Sequence, residues 1–525
     1  MRGNFKCLRP KIVFKQILRS TTIIGKLTLL SRLLGYIRDM LIARLFGASI
    51  ATDAFFIAFK IPNLFRRFFA EGAFSNAFIP VLTEYKERHD QKSLSKFLNA
   101  QAGALTTVLG IVVTIGILMS PFVIMVFAPG FERESDRYLL SVELLKITFP
   151  YLIFISLTAL LASVLNVFGK FAIPAFTPAL LNISIITVAI FLSPLLSVPI
   201  YSLAIGVFIG GILQLALQYL SVRKLGFHLN VNLGFKHDGV KKVFKLMIPG
   251  IIGGSVAQLN ILIDSIIASF LVAGSISWLY YSDRIIELPL GIFGIALATA
   301  VLPSLSKFAI NSEFKKFNNA VRHSINWALF LGIPSASGII LLAEPIIISL
   351  FHYGEMTTND VQQCIKSLRA YALGLPAFIL IKVLVTTYFA TKDMVTPVKI
   401  AVCALIVNTI LNLFLMQYFG HTGLALATSM AAWLNVSLLF IFLKTSEEKF
   451  TRDGVFNCLR ILIASVIMMV MLSWSMPKTT FNVEIAFWLR FFYLFCLIVI
   501  GCISYLVASF VLGINKDKIN RLYGI

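Results

Sequence analysis

Charge is scarce in this chain, and acid is scarcer than base. Only 13% of its 525 residues are Asp, Glu, Lys or Arg, and 24 acidic side chains face 46 Lys and Arg, for a formal net charge of +22. Soluble domains run to about 25% charged residues, so the composition excludes an ordinary water-soluble domain. Cysteine is equally thin. Cys7, Cys364, Cys403, Cys458, Cys496 and Cys502 form no C-x-x-C pair, which leaves no disulfide framework and no thiolate metal site. There is no G-x-x-x-x-G-K-[ST] run, so no loop is built to cradle a nucleotide phosphate. There is no H-E-x-x-H, and His89, His228, His237, His323, His352 and His421 show no metal spacing. With loops this short and no H-E-x-x-H in them, an enzyme acting on lipid phosphates is disfavoured.

What the chain has is apolar length. Hydrophobic residues make up 58% of it, and the mean hydropathy is +0.88. Crossing the roughly 30 Å hydrocarbon core takes about 20 apolar residues per helix. The sequence predicts an all-α polytopic membrane protein of about fourteen such helices, near 21–46, 53–83, 97–127, 139–168, 173–194, 199–222, 240–271, 276–306, 318–350, 363–390, 396–418, 422–443, 456–476 and 485–512. Lys and Arg gather in alternate loops: Lys86, Arg88, Lys92 and Lys96, then Arg223, Lys224, Lys241 and Lys242, then Lys307, Lys315, Lys316 and Arg322, then Lys444, Lys449 and Arg452. Basic loops stay cytoplasmic, so both termini are expected inside and nucleic acid is not an expected partner. The basic segment 1–20 reads as a cytoplasmic extension of the mature chain, because no cleavage site follows it.

A weak internal repeat is visible. Lys170 and Pro174 recur as Lys392 and Pro397, Pro150 as Pro376, Ile79-Pro80 as Leu302-Pro303, and Leu203-Ala204 as Leu424-Ala425. Six helices thus read as repeated, giving lobes at 21–225 and 226–445, with 446–525 holding two further helices and a cytoplasmic tail. Paired halves around a central cavity are a common transporter plan.

The charges that do enter apolar segments are the anomaly. The first helix carries Arg32, Arg38 and Asp39, the second Asp53, Lys60, Arg66, Arg67 and Glu71, and the eighth Asp283, Arg284 and Glu287. An Arg at mid-membrane costs about 2.5–3.5 kcal/mol on insertion scales, so such residues either line a functional path or pair to fix helix registry. Arginine presents a planar fork suited to phosphate oxygens, which points to an anionic substrate carrying phosphate or diphosphate. Arg32 and Asp39 share a face at i, i+7, with Arg38 about 120° away. A second group is Asp264, with Asn408 and Asn412 at i, i+4 and Thr428 on the next helix. Its oxygens suit a monovalent cation, and equally suit plain hydrogen bonds between helices.

The run SRLLGYIRDMLIARLFGASIATDAFFIAFKIPNLFRRFFAEGAFSNAFIPVLTEY, Ser31 to Tyr85, resembles the MurJ/MviN family of lipid II flippases, as do LKITFPY at 145–151, SWLYYSDRIIE at 277–287, LPSLSK at 302–307 and TPVKI at 396–400. The resemblance covers nearly the whole chain after residue 20. It implies two six-helix lobes around a central cationic cavity, with two C-terminal helices similar to a pair that grooves an isoprenoid tail. It further implies a multi-pass protein of the bacterial inner membrane. Such a carrier, functioning as a monomer without a bound cofactor, would move undecaprenyl-diphosphate-linked disaccharide-peptide, lipid II, outward by alternating access on a membrane potential or cation gradient. By position, Arg32, Arg38, Arg66 and Arg284 match headgroup-contacting arginines. Asp39, Asp53, Asn63, Arg67, Glu71, Ser277 and Glu287 match supporting cavity or gate positions. Asp264, Asn408, Asn412 and Thr428 resemble a sodium site seen in some members, so Na+ or another monovalent cation is the expected coupling ion. The alternative within the same superfamily is a multidrug or other lipid-linked oligosaccharide exporter.

Overall fold

A computed structural model describes residues 10–69, 72–228, 230, 234–443, 452–476 and 487–514. Every regular element among them is helical: α1 Pro10–Phe46, α2 Ile50–Phe69, α3 Ala73–Arg88, α4 Gln91–Leu118, α5 Ser120–Phe127, α6 Asp136–Thr148, α7 Tyr151–Val167, α8 Ala172–Leu192, α9 Tyr201–Arg223, α10 Asp238–Ser269, α11 Ser275–Pro289, α12 Ile295–Ile310, α13 Phe314–Phe351, α14 Thr358–Ala372, α15 Leu375–Ala390, α16 Val395–Phe419, α17 His421–Phe442, α18 Arg452–Ser475 and α19 Phe487–Val511. Among the described residues, eleven spans are long and apolar enough to cross a membrane. The predicted segments outside that set are the arginine-bearing first two and the seventh, which nonetheless fold as α1, α2 with α3, and α10.

Where single predicted segments divide, backbone chemistry gives the reason. The second breaks before Gly72, whose φ of 69° suits a residue without Cβ. The fourth divides at Pro150, which has no N–H to continue the ladder. The eighth passes through a π-helical turn, Leu290–Gly294, directly after Pro289. The first helix already includes Pro10, earlier than residue 21, and the Lys, Gln, Leu and Arg that follow it are good helix formers.

The chain falls into two compact units, Met1–Ile42 with Ile50–Gln258, and Ala43–Ser49 with Leu259–Ile525. In the first unit, α8 and α9 approach through glycine. A Cβ on Gly206 would lie 2.9 Å from the Ile185 Cα, and one on Gly210 would lie 3.2 Å from the Leu181 Cα. Ser184 donates to the Gly206 carbonyl at 2.8 Å. Small residues let helices pack backbone to backbone where lipid offers no hydrophobic drive. In the second unit, the turn at Gly47 is pinned from three sides. Tyr281 donates to the Gly47 carbonyl at 3.0 Å, the Glu355 amide donates to the Arg44 carbonyl at 2.9 Å, and a Cβ on Gly274 would meet the Ala48 carbonyl at 2.8 Å. These contacts explain why residues 43–49 belong with the second unit. Outward faces stay apolar: Ile406, Ile410, Leu413 and Phe414 on α16 are exposed, as on a lipid-facing wall.

Candidate substrate and cation sites

In the first unit, α1 brings Arg38 and Asp39 into its interior, at 6% and 0% exposure. The Arg38 Nε and Nη2 donate to the Asp39 Oδ1 at 2.9 and 2.7 Å, and Nη1 donates to the Asn182 Oδ1 at 2.9 Å. Asn182 closes the arrangement by donating its amide to the Ser31 carbonyl at 3.0 Å. Two opposite charges at this depth cancel, and fixed hydrogen bonds replace their lost hydration. The sequence argument from helix faces put Asp39 beside Arg32. The long Arg38 side chain instead curls back to its neighbour, and Arg32 is exposed.

On α2, Asp53 is fully buried and accepts from the Arg137 Nη2 at 2.6 Å. The Arg137 guanidinium also sits 4.1 Å from the centre of the Phe131 ring, a cation–π contact. Arg137 read from sequence as a loop residue, and no spacing signal linked it to Asp53. Arg66 is half-buried and Arg67 exposed. Asn63 turns its amide to the Phe59 carbonyl of its own helix at 2.9 Å. Glu71 lies outside the described residues.

In the second unit, α11 holds Arg284, whose Nη1 donates to the Glu287 Oε2 at 2.6 Å, one turn on. Their side chains are 30% and 52% exposed, so solvent reaches this pair, whereas the Arg38–Asp39 pair is buried. Ser277 is fully buried on the same helix.

The same unit assembles the amide cluster. Asp264 accepts from the amides of Asn260 at 3.0 Å, Asn408 at 3.2 Å and Asn412 at 2.8 Å. Asn408 also donates to the Asn260 Oδ1 at 2.9 Å. Asn260, one turn before Asp264 on α10, is a member the sequence reading missed, although the i, i+4 spacing was available as a signal. Thr428 does not join: its hydroxyl donates to the Leu424 carbonyl on its own helix at 2.9 Å. Asn408 and Asn412 are 2% and 0% exposed, yet both amide oxygens lack hydrogen-bond partners. Amide N and O are nearly isosteric. Turning both amides over would direct two carbonyl oxygens beside one carboxylate, a donor set for a hard cation. The residues therefore fit a bound monovalent cation. No group of three or more His, Cys, Asp or Glu gathers for a metal among the described residues.

Membrane-length helices with arginines and carboxylates set among them define a polytopic membrane protein of the transporter type. A solved MOP superfamily transporter from Pyrococcus furiosus covers 84% of the chain, and 96% of its own length aligns, at a TM-score of 0.55 and 14% identity, a likeness of fold. The sequence profile of the family described as "Lipid II flippase MurJ" matches residues 42–513. A relative from Vibrio cholerae serotype O1 is 42% identical over 514 residues, 96% of this chain and 98% of that one. One from Burkholderia cenocepacia, named "Lipid II flippase MurJ", is 39% identical over 432 residues, 82% of this chain and 84% of that one. A solved structure titled "Lipid II flippase MurJ, inward closed conformation" aligns over 93% of this chain and 98% of that one, at a TM-score of 0.78 and 32% identity. The chain belongs to the MurJ family.

Proposed function

We propose that this protein carries lipid II from the inner to the outer leaflet of the bacterial cytoplasmic membrane. The observation that carries the reading is the family match along residues 42–513. The arginines supply the chemistry it needs: Arg32, Arg66 and Arg284 can replace the hydration of a diphosphate with charge-assisted hydrogen bonds. Arg38, paired with Asp39, joins them when that pair opens. No bond in the substrate has to break, so the protein is a carrier and not an enzyme.

The proposed cycle is alternating access by a chain of fourteen crossings with both ends cytoplasmic, which follows from the alternation of basic loops. An anionic headgroup moving out of a negative interior runs downhill by about 2.3 kcal/mol per charge per 100 mV. Asp264, with Asn260, Asn408 and Asn412, would hold a monovalent cation, and its inward movement would return the empty carrier.

Direct binding tests the headgroup assignment. Lipid II is titrated against the purified chain in detergent. Losing hydrogen bonds to a charged group costs about 1.5–3 kcal/mol, so Arg32→Ala and Arg284→Ala are each expected to weaken binding by about ten- to a hundredfold. Unchanged affinity in both would overturn it.

A further inference from the structure

Three helix interruptions in the second unit meet at one place. Within α13, Pro334 offers no amide to the Phe330 carbonyl one turn back. Between α14 and α15 the chain breaks at Leu373 and Gly374, just before Pro376. Between α11 and α12 it passes through the π-helical turn Leu290–Gly294. All three converge on a single turn of α15. A Cβ on Gly332, two residues before Pro334, would lie 3.0 Å from the Pro376 Cα, and one on Gly294 would lie 3.7 Å from the Ile379 Cα.

Side chains from two other helices cap these breaks. Tyr505 of α19 donates to the Phe330 carbonyl at 2.8 Å, and the two rings lie 5.2 Å apart. Ser429 and Trp433 of α17 donate to the Ala370 and Leu373 carbonyls at 2.7 and 2.9 Å. Away from water, a broken helix is tolerated where such donors satisfy its backbone. The same caps make the breaks pliable. A hydroxyl or indole on a rotatable side chain follows a carbonyl through a change of angle, which a helical amide cannot do. At Gly332 and Gly294 no side chain of the glycine interlocks with α15, so the ridge-and-groove packing that resists tilting is missing there. By contrast α17 runs from His421 to Phe442 without a proline.

We propose that Pro376 and Ile379 mark the pivot of a hinge inside the second unit. On it α12, α15 and residues 314–333 of α13 swing together against the unbroken α17, while α11, α14 and the rest of α13 stay in place. Proline and π-bulges are the ordinary causes of helix kinks. Gathered on one turn, they let three helices bend about one axis without parting. One end of the unit can then open or close while the other holds. Transporter halves commonly rock as rigid bodies, whereas this unit bends. The hinge rests on contacts within the unit and not on what is carried.

Distances between spin labels test it, measured by double electron–electron resonance on the full-length protein in lipid nanodiscs. Cys7, Cys403, Cys458, Cys496 and Cys502 are replaced by Ser, and the buried Cys364 is kept. One label pair, Lys315→Cys with Phe442→Cys, reports the swinging end. A second, Glu355→Cys with Phe419→Cys, reports the other end, and all four positions are exposed. From Phe314 to Pro334 the arm is about 30 Å long, so each 10° of bending moves its tip by about 5 Å. The first pair should give a distance distribution about 5 Å or more wider than the second. Pro334→Ala, which returns an amide to the Phe330 carbonyl, should narrow it to the width of the second. Equal widths at the two ends, or a first-pair width that Pro334→Ala leaves unchanged, would overturn the proposal. Should Pro334→Ala not fold, Tyr505→Phe removes the cap without altering α13. It should widen the first pair further, and an unchanged width there would equally overturn the hinge.

Discussion

Among single residues, two buried ion pairs stand out in the described part of the chain, Arg38 with Asp39 and Arg137 with Asp53. Breaking a buried pair from one side typically costs 3–5 kcal/mol, because the survivor keeps its desolvation penalty. Asp53→Leu alone is therefore expected to lower thermal stability more than Asp53→Leu combined with Arg137→Leu, and a double-mutant cycle in detergent reads the difference. Asn182→Leu takes an acceptor from Arg38 and leaves the Ser31 carbonyl without that donor. A loss of about 1–3 kcal/mol is expected, seen as a lower melting temperature, with Asn182→Asp retaining an acceptor for Arg38 and losing less. The sequence made Arg38, Asp39 and Asp53 conspicuous, since a charge stands out in an apolar helix. It was silent on Asn182 and Arg137. One asparagine in an apolar segment looks like any interhelical polar residue, and Arg137 sits among the acids of a presumed loop. Pairing across 84 or 144 positions is a fact of tertiary packing that no local spacing encodes.

At the scale of elements, helix approach rests on the absence of side chains at a few positions. Gly206→Ala drives a methyl into the Ile185 backbone, an overpacking expected to cost about 1–3 kcal/mol. Gly25→Ala in α1, where an added Cβ meets nothing within 4 Å, should be neutral or stabilising by helix propensity. Unfolding in detergent distinguishes the two. The connection into α10 carries a pH dependence. His237 packs against the rings of Tyr85 and Phe97, with centroids at 5.7 and 5.6 Å, and the Gly239 amide donates to its Nδ1 at 3.1 Å. Burial pushes its pKa below the ordinary 6.5, against a smaller opposing pull from Asp238. A histidine kept neutral in the folded state contributes its stability fully above pH 6.5, and that contribution fades as pH falls through the lowered value. The melting temperature should therefore drop between about pH 7 and pH 5, and His237→Gln should flatten that slope. Most elements were legible from hydropathy alone, because apolar runs of spanning length are unambiguous. Their interruptions were harder. Pro150 and Pro289 could be seen, but proline also stays inside α8 at Pro178 and inside α13 at Pro334, so proline by itself does not announce a break.

Across the whole molecule, the proposed function assigns recognition and coupling to different residues. Asp264→Asn keeps the shape of the amide cluster but removes its only charge. It is expected to abolish any dependence of transport on a sodium gradient while leaving lipid II binding within about twofold, a change worth well under 1.4 kcal/mol. Parallel loss of binding and gradient dependence would show that the cluster only holds α10 to α16. In the proposed cycle, arginines pass a diphosphate headgroup outward along the membrane potential. Outward flipping of lipid II in proteoliposomes with an imposed inside-negative potential tests it most directly, comparing wild type with Arg284→Ala. The account predicts flipping by wild type, faster as the potential grows, and little or none by the variant. Flipping that persists in Arg284→Ala and ignores the potential would contradict it.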